Sequence, residues 1–589
     1  MRTLFAIAVS LVLAACATPQ VADTASAPVS VRIIAFNDFH GALEPPHLAV
    51  PATAPDGSAV SVPAGGAAYL ASAVRRLREQ NPNSIVVSAG DLISASPLVS
   101  AQFLDEPTIL AMNMIGLDFN ALGNHEFDRG RAELLRMQNG GCVQHTQRTP
   151  CSLDPGFPGA RFRFLAANVR TEDGQTLFPA YGIRTFGSGA SEVKVGIIGL
   201  PLRGAATLVT PAGIAGLTFG DEADAINALV PRLRAEGVDA IVVVIHEGVE
   251  TRVGYNDHSC AGVNGDLMPI LARLDPGVDL VVSGHTHKAY VCDYGQIDPT
   301  RPFLVTSAGR SGTLLTDISL VIDPVRGRVI ERRGDNLIVQ GEAYTGAAGP
   351  VPLSGLFPVY PRDPAVAALI ARYVEAAGPL ANRVVGRLSG PALREEAPSG
   401  ESVLGNLIAD AHLAATRAPE NGGAQIAFTN QTSVRADLVP AADGSVTFGQ
   451  LFTAQPFGNN LIVKSMTGRQ IRALLEQQFD SGSNTLTRPI MLLPSRGLTY
   501  SYDLTRPAGQ RILELRLNGQ PIADDAAYRV AMNSFLATGG DNFTLFREGA
   551  NPFGGPLDID ALERYVAAGN PTTPPEANRI RRVAPPPGQ

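Results

Sequence analysis

The stretch Gly123-Asn124-His125-Glu126-Phe127-Asp128 follows a short apolar run at residues 119–122, and it places an amide, an imidazole and two carboxylates within six residues. On its own the stretch is also typical of an ordinary turn, because Gly-Asn favours a turn and acidic residues favour the first turn of a helix, here one starting near residue 129. Its interpretation as a functional site therefore depends on how the other apolar segments of the chain end.

Four further apolar segments end in side chains that can bind metal ions. These segments and the residues after them are 31–36 with Asn37-Asp38-Phe39-His40-Gly41, 84–89 with Gly90-Asp91, 240–245 with His246-Glu247-Gly248, and 278–283 with Gly284-His285-Thr286-His287. Helical patterns at 67–80, 107–115, 129–138 and 222–236 lie between them, so we expect a buried, largely parallel sheet. Ligands of such sheets gather at the carboxyl ends of the strands. Five of the nine histidines fall at these ends, which favours a site over structural histidines.

The residue types at these ends suit divalent metal ions. Aspartate, asparagine and histidine from separate loops match a pair of Mn, Zn, Co or Fe ions better than Ca, and one carboxylate must then bridge the pair. Two ions roughly 3.5–4 Å apart can bind a bridging hydroxide, orient a phosphoryl oxygen and neutralise the charge of an in-line displacement. The residues therefore predict hydrolysis of a phosphate ester or anhydride.

Length and composition indicate a large globular protein. A chain of 589 residues with 45% hydrophobic and 17% charged residues predicts two large domains, and a net charge of -8 argues against a general nucleic-acid binder. The Gly- and Pro-rich residues 341–360 predict a linker, and residues 363–377 predict an interdomain helix that Asp363 caps before Pro364. We expect no transmembrane helix, and a loose Pro-rich tail at 571–589.

The N-terminus has the features of an export signal. Arg2 precedes an apolar stretch at 4–13 and then Leu13-Ala14-Ala15-Cys16, which resembles a bacterial lipobox. We therefore expect a signal at 1–16, lipid modification of Cys16, a tether at 17–30, and a periplasmic or cell-surface lipoprotein. Ala17 after the cysteine favours the outer membrane if the cell is Gram-negative. A plain signal peptide or a short membrane anchor is the alternative.

The other four cysteines are expected to form disulfides in an exported chain. Three pairings are possible, and sequence proximity favours Cys142 with Cys151 and Cys260 with Cys292. Free thiols or a metal site are the alternatives, although no CxxC spacing supports zinc binding.

Taken together, the motifs resemble a known family. Asp38-Phe39-His40, Gly90-Asp91, Gly123-Asn124-His125-Glu126, His246 and Gly284-His285-Thr286-His287 resemble in order the signature of the calcineurin-like metallophosphoesterases, and more narrowly of their 5′-nucleotidase and UDP-sugar hydrolase family. The resemblance covers residues 31 to about 548. It implies an α/β protein, with a metallophosphoesterase α/β/β/α sandwich at 31–345, a linker and helix at 346–381, and an α+β 5′-nucleotidase C-terminal domain at 382–570.

The resemblance also implies roles for the residues at the strand ends. Asp38, His40, Asp91 and His287 would bind one divalent ion, and Asp91, Asn124, His246 and His285 the other, with Asp91 as the bridge and Zn, Mn, Co or Mg as the metals. Relatives often have Gln or Asn at His287, which bears on metal preference. His125 would face the phosphate and be oriented by Asp128, and Glu126 would be a helix-start or supporting carboxylate.

In the second domain the resemblance implies a nucleotide site. Phe457 and Phe535 would stack on a nucleobase, although both could be ordinary core residues, and Asp541 would accept hydrogen bonds from ribose. Asn430 and Arg435 would hold the nucleoside and its anionic group. Two departures stand out: Thr432 and Ser433 replace glycines, which could narrow the pocket, and Pro398 stands where relatives bring an arginine, with Arg394 nearby but out of register.

The predicted function is an exported dinuclear metal-dependent phosphohydrolase. It would remove phosphate from nucleoside 5′-monophosphates by attack of a metal-bridging hydroxide, with the second domain swinging its nucleotide to the metals. The alternatives are a UDP-sugar or 2′,3′-cyclic nucleotide hydrolase or other phosphoesterase, and a binding lipoprotein without turnover.

Overall fold

The structure is a computed structural model that describes residues 27–146, 148–209, 211–251, 253–346, 349–569 and 571–583. The predicted signal, the lipobox cysteine and most of the tether lie outside these residues. Within them, no helix combines the length and apolar character needed to cross a lipid bilayer.

Two six-stranded sheets form the first domain. In spatial order the strands of the first sheet are Arg328–Ile338, Leu314–Asp323, Val29–Phe36, Ser84–Ser88, Phe119–Ala121 and Arg163–Leu165, and those of the second are Ala289–Asp293, Leu304–Ala308, Leu280–Ser283, Ala240–His246, Val193–Pro201 and Tyr181–Phe186. The strands that precede the metal-binding motifs pair in parallel, whereas antiparallel strands lie at the edges. The carboxyl ends of both parallel sets therefore lie at one end of the domain.

The alternation of side chains along each strand builds the layers. Ile33 of the first sheet packs against Val242 of the second in an apolar layer between the sheets. Ile34 and Phe36 point the other way and pack under helices. The helices of the domain are Ala67–Gln80, Leu98–Ala101, Glu106–Ile115, Arg131–Asn139, Ala205–Leu208, Glu222–Ala235 and Leu267–Leu271. Helices thus cover both outer faces, and the predicted α/β/β/α sandwich is confirmed.

Most predicted elements occur close to their expected positions. The helix Ala67–Gln80 has the predicted bounds, and an antiparallel hairpin of Leu314–Asp323 and Arg328–Ile338 closes the first sheet. The helix after the opening motif begins at Arg131 rather than near residue 129. The delay arises because a 3₁₀ turn at His125–Phe127 and then Gly130, with a φ of 84°, precede it.

The second domain is built on two smaller sheets. Their strands are, in order, Leu492–Pro494, Ile426–Asn430, Ala527–Asn533, Asn460–Thr467 and Ala550–Leu557, and then Gln520–Pro521, Ile512–Leu517, Leu498–Tyr502 and Ile580–Arg582. The helices are Val403–Thr416, Phe448–Ala454, Gly468–Glu476, Ser534–Ala537 and Asp558–Ala568. Two-stranded pairings complete the fold at Leu48–Thr53 with Ala59–Ala64, Val169–Arg170 with Thr218–Phe219, Tyr344–Gly346 with Gly349–Val351, and Val384–Arg387 with Ser445–Thr447.

The predicted loose tail is wrong for its described part. Ile580–Arg582 pairs in parallel with Leu498–Tyr502, and both terminal nitrogens of Arg579 donate to the carboxylate of Asp410 at 2.8 Å. A buried ion pair and a strand pairing therefore hold the end of the chain on the second domain. Residues 584–589 of the tail lie outside the described residues.

The interdomain helix and both disulfides are present. The helix spans Pro364–Ala381, and the Asp363 side chain accepts hydrogen bonds from the first two free backbone N–H groups, as its predicted capping role requires. The helix continues beyond residue 377 and includes Pro379 in its last turn. The favoured pairs Cys142–Cys151 and Cys260–Cys292 are confirmed.

Candidate metal centre and active site

The strand ends bring two groups of metal-binding side chains together. One group is Asp38, His40 and His287, and the other is Asp91, His246 and His285; within each group the ligand atoms all lie within 4.8 Å of one another. Four of these six residues are buried, and they lie at the carboxyl ends of three strands: Asp38 and His40 after Val29–Phe36, Asp91 after Ser84–Ser88, and His246 at the end of Ala240–His246. The sheet topology thus assembles groups that are far apart in the chain.

Five of these six residues lie at sharp turns of the backbone, whereas His246 is the last residue of a strand. Asp38, His40, Asp91, His285 and His287 have positive φ angles of 48°, 47°, 51°, 70° and 58°. For residues other than glycine this conformation costs roughly 1–2 kcal/mol each. A Cβ atom on Gly123 would lie 2.2 Å from Oδ1 of Asp91, so the opening motif must begin with glycine to approach the Asp91 loop. Strained positions of this kind persist where the surrounding structure and function require them.

Distances place Asp91 between the two groups. Its Oδ2 lies 3.0 Å from Nε2 of His246 and 3.7 Å from Nε2 of His40. In the first group, Nε2 of His287 lies 3.3 Å from Oδ1 of Asp38 and 3.2 Å from Nε2 of His40. One carboxylate oxygen is therefore within reach of both groups, which is the arrangement that a bridging ligand needs.

The unpaired polar atoms at this centre fit two cations. Oδ1 of Asp38 and Oδ1 of Asn124 are buried, and neither accepts a hydrogen bond from the described residues. A buried acceptor without a partner costs about 1–3 kcal/mol, which a metal ion would offset. The Nδ1 groups of His40 and His246 donate to the carbonyls of Ser94 and Ala89 at 3.1 and 2.7 Å. These bonds leave each Nε2 free to face the centre as a ligand.

The electrostatics favour the protonation states that bind metals. Burial lowers the pKa of His40, His285 and His287 well below the ordinary histidine value, so these imidazoles are neutral near pH 7. Burial alone would raise the pKa of Asp91, but the neighbouring His246 and His125 outweigh it and hold that pKa well below its usual range. These three imidazoles and Asp91 are thus in the protonation states that bind metals, whereas burial lowers the pKa of His246 but Asp91 raises it by more, to about 10, so a metal ion must displace a proton from His246.

His125 lies beside the metal-binding groups and outside both of them. Its Nδ1 is 2.8 Å from Oδ2 of Asp128, and its backbone N–H donates to Oδ1 of Asp91 at 2.9 Å. Burial lowers the pKa of His125, but the carboxylates of Asp128 and Asp91 raise it by more, so the net shift is upward. Asp128 thus occupies Nδ1 of His125 and leaves Nε2 available for a hydrogen bond to another group.

Glu126 has a role that its position in the chain does not reveal. Its Oε2 accepts hydrogen bonds from the backbone N–H groups of Asp91 at 3.0 Å and Gly123 at 2.6 Å, and its Oε1 accepts one from Leu92 at 2.9 Å. Glu126 thus ties the Asp91 loop to the Gly123 loop, as a supporting carboxylate rather than a helix start. Only the folded pairing of the two strands shows which N–H groups it serves.

Two predicted residues of the second domain reach the metal-binding groups. A terminal nitrogen of Arg435 lies 3.2 Å from Nε2 of His40, and the ring of Phe457 stacks on His125 with 5.6 Å between centroids. The Arg435 guanidinium also lies over the Phe457 ring at 5.9 Å. Phe535 packs instead against Gly540, and in the described chain its ring makes no contact with that of Phe457.

Asn430 and Asp541 contact each other. Nδ2 of Asn430 donates to Oδ2 of Asp541 at 2.8 Å, and the Thr432 hydroxyl donates to the same oxygen. Thr432 and Ser433 lie in a 3₁₀ turn, Gln431–Ser433, and neither has a positive φ, so this backbone does not require glycine. Ser433 is buried and donates to the carbonyl of Asn430 at 2.7 Å. Its side chain therefore points into the domain and does not narrow the pocket.

Two further arginines lie at the site. Nη1 of Arg394 donates to the carbonyl of Arg435 at 2.9 Å, so Arg394 reaches the site although it is out of register with the arginine of relatives. Arg310 follows the strand Leu304–Ala308, and burial together with the positive charges of Arg394 and Arg435 lowers its pKa to about 10. Sequence reasoning did not identify Arg310, although it follows a strand end like the metal-binding motifs.

Comparison with known proteins agrees with this geometry. The family model "Calcineurin-like phosphoesterase" matches residues 31–289, and "5'-nucleotidase, C-terminal domain" matches residues 384–548. The chain belongs to the 5′-nucleotidase family of calcineurin-like phosphoesterases. Members of this family are phosphoric ester hydrolases, and calcineurin-like phosphoesterases of this kind use two divalent metal ions, in agreement with the two groups of ligands.

Two relatives align with almost the full length of this chain. The endonuclease YhcR of Bacillus subtilis is 29% identical over 91% of this chain, and the cell wall protein Lmo0130 of Listeria monocytogenes is 30% identical over 90%. The chain spans only 40% and 66% of those two proteins. A 5′-nucleotidase precursor from Thermus thermophilus, known from a crystal structure, is 27% identical in sequence to this chain. Its structure superposes with a TM-score of 0.73, and the match covers 95% of this chain and 100% of the Thermus chain.

Proposed function

We propose that this chain removes phosphate from nucleoside 5′-monophosphates in a reaction that depends on two divalent metal ions. The observation that carries the proposal is the meeting of the two domains. Arg435 and Phe457 of the second domain contact His40 and His125 of the first, at 3.2 Å and 5.6 Å. One molecule with a phosphate and a nucleobase can therefore touch residues of both domains at once.

The ligands divide between the two ions. Asp38, His40 and His287 would hold one ion and Asn124, His246 and His285 the other, with Asp91 shared between them. When bound, the ions would neutralise phosphate charge and supply an activated water. Neither three-residue group fills the six ligand positions of an octahedral metal ion, so positions on each ion remain open for the substrate.

The remaining residues act directly on the substrate. His125 would donate a proton from Nε2 to the leaving 5′ oxygen, since Asp128 holds its other nitrogen and keeps its pKa raised. Arg435 would pair with a phosphate oxygen. Phe457 and Phe535 would stack on opposite faces of the base, and Asp541 and Asn430 would bind the nucleoside.

A second candidate substrate class is favoured by one observation. Arg310, Arg394 and Arg435 lie close enough that the charges of the last two depress the pKa of the first. Three guanidinium groups can neutralise more charge than one phosphate carries, which suits a diphosphate-linked substrate such as a nucleotide sugar.

A substrate panel distinguishes the two candidates. Phosphate release should be measured from nucleoside 5′-monophosphates, and hydrolysis from nucleotide sugars and 2′,3′-cyclic nucleotides, with the same metal. The proposal expects the highest kcat/KM for a 5′-monophosphate. A higher value for a nucleotide sugar would select the second candidate, and binding of nucleotides without hydrolysis of any of them would favour a binding lipoprotein.

We further propose that the chain is an exported lipoprotein anchored through Cys16. The two disulfides support export, since such bonds persist in oxidising compartments. The similarity to a protein named for the cell wall is in keeping with this. A Cys16→Ser variant should move from the membrane fraction to the soluble one; equal membrane retention of both forms would contradict the lipid anchor.

A further inference from the structure

Asp541 offers the substrate only part of its hydrogen-bonding capacity. A carboxylate has about four lone-pair sites, two on each oxygen. Both sites of Oδ2 are taken within the protein, one by Nδ2 of Asn430 at 2.8 Å and one by the hydroxyl of Thr432. In the described chain no hydrogen bond reaches Oδ1, and this oxygen is not among the fully buried atoms that lack a partner, so it keeps some access to solvent and to a ligand.

The side chains of Asn430 and Thr432, which donate to Asp541, are themselves held in place by hydrogen bonds. Nδ2 of Asn430 also donates to the Thr432 hydroxyl oxygen at 2.6 Å, and Oδ1 of Asn430 accepts from Nδ2 of Asn533 at 3.0 Å. This network orients Thr432 so that its hydroxyl proton points at Asp541. Since Asp541 is only 3% exposed, solvent does not compete effectively for Oδ2.

We propose that Thr432 sets the sugar specificity of this chain by occupying one oxygen of Asp541. The inference rests on the proposed function, in which Asp541 faces the ribose. The two hydroxyls of a cis-diol bind a carboxylate most effectively in a bidentate manner, one hydroxyl to each oxygen. Here both sites of Oδ2 are filled, so the two hydroxyls would have to crowd onto Oδ1, where one of them displaces the other. The chain therefore reads one of the two ribose hydroxyls and is indifferent to the other. Its substrate class comprises ribonucleotides together with one of the two deoxyribonucleotide forms.

The test compares three nucleosides with the native chain. The dissociation constants of adenosine, 2′-deoxyadenosine and 3′-deoxyadenosine are measured by calorimetry, and kcat/KM is measured for the three corresponding 5′-monophosphates. The dissociation constant and kcat/KM of one deoxy form should lie within about threefold of those of the ribose form. The other deoxy form should bind, and be turned over, about tenfold less well, which is the value of one hydrogen bond to a charged group.

Variants of Thr432 separate its hydroxyl from its bulk. Thr432→Ala frees a hydrogen-bonding site on Oδ2 of Asp541. Both deoxy forms should then bind, and be turned over, about tenfold less well than the ribose form. Thr432→Ser keeps the hydroxyl and should retain the native pattern. Ser433→Ala is a matched control, since its hydroxyl serves the Asn430 carbonyl and not Asp541, and it too should retain the pattern.

Each outcome decides the inference. If the native chain discriminates against both deoxy forms or against neither, if adenosine does not bind, or if Thr432→Ala keeps the native pattern, the role of Thr432 is refuted. Nucleosides that bind with the predicted pattern while no nucleotide is hydrolysed would instead refute the proposed function and leave the role of Thr432 standing.

Discussion

Replacing Glu126 by glutamine should destabilise the chain and loosen its metal centre together. The carboxylate serves three backbone N–H groups, and Oε1 also accepts from Nδ2 of Asn120 at 3.3 Å. An amide keeps one acceptor oxygen, but it turns an N–H₂ group toward the two donors that the other oxygen served. Each buried donor left without a partner costs about 1–3 kcal/mol, so the free energy of unfolding should fall by about 2–6 kcal/mol.

The Asp91 loop should be the first part of the molecule affected, because Glu126 holds the backbone N–H of Asp91 itself. The assay is urea unfolding of the metal-free chain, combined with metal analysis after dialysis against a fixed Mn concentration. Glu126→Gln should unfold at lower urea and retain fewer ions than the native chain. Glu79→Gln is the control, since Glu79 is exposed on the helix Ala67–Gln80.

One result would refute this reasoning. If Glu126→Gln keeps an unfolding free energy within about 0.5 kcal/mol of the native chain, the range of ordinary surface substitutions, and also retains its metal, then the Glu126 hydrogen bonds do not support the centre.

Three further predictions follow from the site. His125→Ala should lower kcat at least about a hundredfold with unchanged metal content, by phosphate assay and metal analysis, because a proton donor is lost; loss of an ion would instead make His125 a ligand. Phe457→Ala should raise KM for nucleotides about fivefold or more with a smaller change in kcat, since base stacking is worth about 1–3 kcal/mol; an unchanged KM would contradict stacking. Asp266 and Arg488 form an interdomain ion pair of 2.9 Å, and joining Asp266→Cys to Arg488→Cys with a bifunctional thiol-reactive cross-linker should stop turnover; full activity of the cross-linked chain, with the single variants as controls, would contradict domain motion.

The two groups of candidate metal-binding residues were predictable from local sequence because the same signal occurs at several strand ends. Asp38 and Asp91 lie two and three residues after the ends of apolar strands, and His246 is the last residue of another. Because parallel strands present their carboxyl ends at one edge, such residues come together. The division of the strands between two sheets came from the resemblance to a family, since strand patterns alone are consistent with a single sheet.

Other features depend on contacts that no local pattern encodes. The strand Ile580–Arg582 is held by Arg579 and Asp410, which are 169 residues apart, whereas the local proline content predicted a loose tail. Arg310 enters the site because strand Leu304–Ala308 joins the second sheet, beside Leu280–Ser283. The engagement of Asp541 by Thr432 spans 109 residues and required the folded second domain.

The most direct test of the proposed function is metal removal and return. The chain should be stripped with a chelator and restored separately with Mn, Zn, Co and Mg, and phosphate release from a nucleoside 5′-monophosphate should be measured alongside the number of bound ions. The stripped chain should be inactive, and at least one metal should restore turnover at two ions per chain. Full activity of the stripped chain, or two bound ions of every metal tested without phosphate release, would contradict it.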